Sequence, residues 1–165
     1  MLLADMTYTL GTTDISVTVP KGFVTDFASV PKSLWSFGLT PHGRHSRAAV
    51  IHDYLYWAQG CTRAQADNIM IIAMQESSVG PIKKTMLSQG VQKFGKRAWK
   101  ENKRDKEAGN IRVIPEGYWE VPPTFGWLAY NKFLKDNEVS DAVHPDDLEY
   151  CELGDSTQVP QGTEP

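Results

Sequence analysis

Apolar and polar positions change period along this chain, and the changes mark its elements. Near the start, MTYTL (6–10) and ISVTV (15–19) alternate with period two and are rich in β-branched residues, the pattern of strands with one face turned inward. GTTD between them supplies Gly and Asp turn chemistry. Residues 5–28 therefore read as a small antiparallel sheet that runs into a loop, FVTDFASVP. Pro31 suits the first turn of a short helix, which the glycines and proline of FGLTPHG end. From His45 or Ser46 to about Ala58 the pattern is helical, and Gly60 is expected to end it. Thr62 and Gln65 form a capping-box signature for a second helix, whose Ala66, Ile69, Met70, Ala73 and Met74 make an i, i+3, i+4, i+7 stripe. The short link predicts an antiparallel hairpin.

Gly80 and Pro81 stop one helix and start a third, with Met86, Val91, Phe94, Ala98 and Trp99 on its apolar side. Gly90 and Gly95 each cost a helix up to about 1 kcal/mol relative to Ala, so close packing against a neighbour is the expected reason for them. Beyond Glu107 the period fades into IRVIPEGYWEVPPTFGWLAYNKFL, aromatic and Pro-rich, whose rings need cover from the domain or from a partner. After Lys135 the chain is polar and acidic, a composition that stays mobile in isolation. The expected fold is α+β: a small antiparallel N-terminal sheet packed on a helical hairpin plus a third helix, with an irregular aromatic C-terminal extension. The expected organisation is a compact unit over 1–107, a wrapping or docking segment over 108–135 and an extended acidic tail over 136–165.

A length of 165 residues suits one respectable core, and a mean hydropathy of −0.38 argues against a transmembrane segment. The N-terminus lacks the basic leader of a secretory signal. Cys61 and Cys151 stand far apart, which argues against a disulfide framework and for a reducing compartment. The net charge of −3 hides a strong asymmetry. Nine Lys or Arg and two acids lie between Lys83 and Lys106, against nine acids and one Lys from Leu134 onward. The two regions read as solvated surfaces, or as surfaces that attract each other within the chain or between copies. The basic run has no aromatic platform or reading motif, so no nucleic-acid partner is expected.

Chemistry concentrates in AVIHDYLYWAQGCTRAQAD. Successive helical residues diverge by about 100°, so His52 and Asp53 serve separate purposes, while Tyr56 shares a face with His52 and Trp57 with Asp53. In an antiparallel hairpin, Asp67 lies early on the second helix, at a height comparable to the end of the first, where a carboxylate can accept the Nδ1 proton of His52 and hold its other nitrogen toward a water molecule, as a general base requires. That role requires the imidazole to open onto a solvent-reachable hollow. Asp53, with Asp26 from the preceding loop, offers oxygen ligands for a hard divalent cation such as Ca2+. A zinc pair of His45 and His52 is weaker, because seven helical residues rise roughly 10 Å. Each feature also has a plain structural reading: a core histidine satisfied by its neighbours, and Asp26 and Ser29 as caps of the turn before Pro31.

Two resemblances carry the reading further. GFVTDFASVPKSLW, RAAVIHDYLY, RAQADNIMIIAM and GVQKFGKRAW, in that order over Gly22 to Trp99, resemble family 1353 of the domain-of-unknown-function series, found mostly in tailed bacteriophages and prophages. Locally, His52, Asp53, Tyr56 and Asp67 are similar to the catalytic helices of secretory phospholipases of the A-two type. That resemblance implies His52 as the base that activates water, Asp67 orienting it with the help of Tyr56, and Asp53 holding calcium. The flanking cysteines of that class are replaced by Ala48, Ala49 and Leu55, and its glycine-rich calcium loop by TDFASVPKSLW. Together these features predict a tailed-phage protein, made in the host cytoplasm and then carried in the virion at the tail or baseplate, with a metal-assisted hydrolase-type site for an ester or amide of the host envelope. The alternative is a purely structural tail or assembly component. The partners expected are other phage structural proteins or copies of the chain itself.

Overall fold

The computed structural model describes residues 1–25, 46–142 and 149–162, apart from the side chains of residues 83, 84, 86, 87, 92 and 94. Strands β1 (Met6–Thr9) and β2 (Ser16–Val19) pair antiparallel, with Met6 opposite Val19 and Thr9 opposite Ser16. Gly11 takes the left-handed conformation that the connecting turn needs. Val17 and Val19 are fully buried, whereas Thr18 faces out. The segment that follows is held on both sides: Leu2 N donates to Phe23 O, and Val24 N donates to Arg112 O.

Helices α1 (Ser46–Ala58), α2 (Arg63–Glu76) and α3 (Pro81–Glu107) form the rest of the core. Every residue of α1 from Ala48 to Trp57 is buried, so the helix is covered all round by α2, α3 and β2. Gln59, with φ of 57°, takes the left-handed position that closes α1, one residue before the expected Gly60. Its side chain donates to Trp99 O at 2.9 Å. Lys106, near the end of α3, reaches the last carbonyls of α1 at Trp57 and Ala58, where a cation also suits the helix dipole. At the start of α2 both halves of the Thr62/Gln65 capping box are formed, and all five residues of the predicted apolar stripe are buried. The fold is α+β, as the periodicity indicates.

The C-terminal third departs from expectation in two places. The aromatic stretch contains a helix, α4 (Trp127–Asp136), which buries Tyr130 and Leu134 against Ile111 and Ile114. Its start lacks a side-chain cap, and its buried face is short and mixed, Tyr130, Asn131 and Leu134, so its period is easily missed. The acidic tail contains α5 (Glu149–Leu153), and Cys61 and Cys151 form a disulfide with Cα atoms 5.3 Å apart. The expectation of unpaired cysteines fails, because a separation of 90 residues becomes contact once the tail folds back on α2. Asn68 Nδ2 donates to Gly154 O at 2.8 Å, Gln75 Nε2 to Thr157 O at 2.8 Å, and Thr12 N to Pro160 O at 3.2 Å. The described part of the tail thus runs from α2 to the β1–β2 turn. Among the described residues, no helix is long and apolar enough to cross a membrane.

Candidate functional site

The centre of the site is one carboxylate. Asp67 Oδ1 meets His52 Nε2 at 3.0 Å and accepts the Tyr56 hydroxyl at 2.5 Å, while its Oδ2 accepts from Arg63 Nη1 at 2.5 Å. His52 and Tyr56 lie one turn apart on α1, and Arg63 and Asp67 one turn apart on α2, so the hairpin brings two i, i+4 pairs face to face. The His52 and Tyr56 ring centroids are 4.1 Å apart. Arg63 is one-third exposed and sets its charge beside the carboxylate at the outer rim. Burial, followed by the bond to Asp67, raises the Tyr56 phenol well above its ordinary range, so it remains a hydrogen donor.

Gly95 of α3 makes room for this arrangement. A Cβ there would stand 2.5 Å from the Tyr56 hydroxyl and 3.4 Å from Arg63 Nη1. The close packing expected at the helix glycines is found at this one. Trp99, one turn further along α3, meets the Tyr56 ring edge-on with centroids 5.0 Å apart.

Sequence reasoning brought together His52, Tyr56 and Asp67, and the structure joins all three. Two details differ. The nitrogen facing Asp67 is Nε2 and not Nδ1, because the carboxylate lies across the gap between helices and the distal nitrogen is the one that reaches it. The imidazole is also not open to bulk solvent: His52 is 2 % exposed and Asp67 7 %. Arg63 belongs to the site as well, and its i, i+4 spacing to Asp67 is the signal in the sequence that points to it. No pattern in the sequence pointed to Gly95 as the seat of the Tyr56 hydroxyl.

Asp53 is buried, and its Oδ2 accepts the Thr25 hydroxyl. Its expected partner Asp26 lies outside the described residues, as do His45, Ser29 and the Pro31 helix. Carboxylate and hydroxyl oxygens are the donor type that a hard cation takes. Among the described residues, no group of three or more His, Cys, Asp or Glu side chains is arranged to hold a metal. Trp57 turns to Asp141, which accepts its indole N–H at 2.5 Å and the Val113 N–H at 2.9 Å. Burial raises the Asp141 carboxyl above its ordinary value, against these bonds and the attraction of Lys106.

No curated protein matches the chain, and no solved structure matches it. A family described as "Protein of unknown function (DUF1353)" matches residues 1–91, which takes in both strands, the whole His52–Asp67 hairpin and the beginning of α3. The match begins earlier than the four resembling blocks and ends within the last of them. With more than half its length covered, the chain belongs to this family of unknown function, DUF1353.

Proposed function

We propose that the chain is a virion-associated protein of a tailed bacteriophage, at the tail or baseplate, with a hydrolase-type site directed at an ester or amide of the host cell envelope. The observation that carries this reading is the Asp67 carboxylate bonded to His52 Nε2 and Tyr56 at once. A base of this kind needs its ring fixed in one orientation, and an acceptor on one nitrogen does that. In this reading His52 is the base, Asp67 orients it, and Tyr56 and Arg63 fix the carboxylate; because His52 is buried, the role also requires a local opening that admits water to the ring. Asp53 with Asp26 is the proposed holder of a divalent cation, Ca2+ or another, which when bound supplies charge stabilisation for a developing oxyanion. The Cys61–Cys151 disulfide supports a protein that works outside the reducing cytosol, as a released particle does.

The burial of His52 favours a second reading, in which the same network only specifies the helix packing and the protein is a structural tail or assembly component. The two part on a substrate panel of soluble esters, phospholipid vesicles and peptidoglycan, each with and without Ca2+. The first reading expects turnover by the parent and a loss of at least about 100-fold in His52→Gln. It also expects the thermal midpoint of that variant to stay within about 5 °C of the parent, since Gln can still donate to Asp67. Absence of turnover, or equal rates in parent and variant, leaves the structural reading.

A further inference from the structure

We infer that residues 149–162 form a strap under thiol control: the Cys61–Cys151 bond closes it over one stripe of α2, and reduction of that bond releases it while the core of α1, α2 and α3 stays folded. Gln65, Asn68, Ile72 and Gln75 follow one another at helical steps of three, four and three, so they share one face of α2. Three of them hold the strap. Gln65 Nε2 donates to Asp155 Oδ1, Asn68 Nδ2 to Gly154 O and Gln75 Nε2 to Thr157 O, each at 2.8 Å. Ile72 stands between them on the stripe and is fully buried, so strap and helix close on each other over an apolar centre. Asp67 leaves α2 on another face, toward α1, which sets the strap apart from the His52 chemistry.

The seat is shaped for this segment. A Cβ on Gly154 would stand 2.7 Å from Gln65 O, one on Gly11 1.8 Å from Pro160 O, and one on Gly162 2.4 Å from Thr12 O. Strap and seat therefore meet backbone to backbone at both ends, as only glycine allows. At the far end Thr12 N donates to Pro160 O at 3.2 Å, and Gly162 N donates to Thr12 Oγ1 at 2.8 Å. Tyr150 and Cys151 are buried in the main core, and Leu153 and Val159 pack against it partly covered.

Control by thiols follows from where the bond lies. Cys151 sits within α5, which is five residues long, far below the length at which a helix holds itself in water. Its order comes from the seat and from the covalent link. Breaking the link leaves the strap joined covalently through the preceding chain alone, and returns to its free state the conformations that closure removes. The reductant is a low-molecular-weight thiol. Its thiolate attacks one sulfur, the other cysteine leaves, and a second thiol cleaves the mixed disulfide. Two electrons and two protons pass from two reductant thiols to the cysteine pair, and the reductant departs as its own disulfide. Cys61 and Cys151 are each 7 % exposed, so the attack waits on a small movement of α5, and the closed strap is durable.

The test is amide hydrogen exchange, read by NMR on the full chain before and after a thiol reductant is added to the folded protein, with free thiols titrated alongside. Reduction should free both cysteines and speed exchange at Gly154, Asp155 and Gly162 by at least about tenfold. Thr12, whose N–H is bonded to Pro160 O, should lose protection with them. In the reduced protein the amides of α1 should still exchange at least about 100-fold more slowly than those of the strap. Cys151→Ser should match the reduced parent whether or not reductant is present, and should that variant fail to fold, the reduced parent alone decides. The inference is overturned if the bond withstands the reductant in the folded protein, or if the strap or Thr12 keeps its protection once both thiols are free. It is equally overturned if strap and α1 exchange at one common rate, or if the oxidised protein is a dimer joined through these cysteines. Turnover on the envelope substrates has no bearing on any of these outcomes.

Discussion

Tyr56 shows how closely the parts of this site depend on one another. Its hydroxyl is bonded to Asp67 on one side and stands, on the other, where a side chain at position 95 would be. Replacing Gly by Ala within a helix ordinarily gains up to about 1 kcal/mol. Here the added methyl meets a hydroxyl that cannot swing away without abandoning a buried carboxylate, so we expect Gly95→Ala to destabilise the protein by roughly 1–3 kcal/mol in denaturant titration. Tyr56→Phe alone should cost about 1–2 kcal/mol through the lost bond to Asp67. Combined, the two should cost clearly less than their sum, because the phenyl ring lacks the atom that clashes. Strict additivity would show that Gly95 does not seat the hydroxyl. The His52–Tyr56–Asp67 trio was readable because helical spacing fixes it. The seat at Gly95 was not, since it depends on the register of α3 against α1, which no local pattern encodes.

At the scale of elements, α1 is clasped at its C-terminal end and α2 at its N-terminal end. The disulfide joins Cys61, just before α2, to α5, and closes a loop of about 90 residues. In the chain-entropy picture such a cross-link contributes about 4–5 kcal/mol. Replacing both cysteines by Ser should therefore lower the thermal midpoint markedly under oxidising conditions, and added reductant should bring the parent down to the same value. A midpoint indifferent to reductant would contradict the pairing. The second clasp is Asp141, bonded to Trp57 and Val113. Because burial raises its carboxyl in the fold, the native state resists its ionisation, and its contribution to stability is greatest below the ordinary carboxyl range and falls as pH rises through the raised value. Asp141→Asn removes that penalty and keeps an acceptor oxygen. The stability of the variant minus that of the parent should therefore increase from pH 3 to pH 7 in denaturant titrations, and a flat or falling difference would count against the assignment. Neither clasp is legible in the sequence: α1, α2 and the paired strands follow from period and capping, whereas the disulfide and the Trp57–Asp141 bond join residues more than 80 positions apart.

For the molecule as a whole, the sequence resolved the α+β core well, since its strands and helical hairpin have clean periods and recognisable turn and cap residues. It resolved the last third poorly, because α4 and α5 draw their order from what they pack against and α5 is held by a covalent link. The His52 site lies within the stretch shared with the DUF1353 family. Both the hydrolase reading and the structural reading depend on one buried carboxylate fixing one ring. That is tested most directly by long-range nitrogen–proton NMR on the 15N-labelled protein, with the His52 resonances identified by their absence in His52→Gln. The account predicts a proton on Nε2, protected from exchange, and a pattern that changes when Asp67 is replaced by Asn. A proton carried on Nδ1 alone, or a His52 signal indifferent to Asp67→Asn, would contradict it.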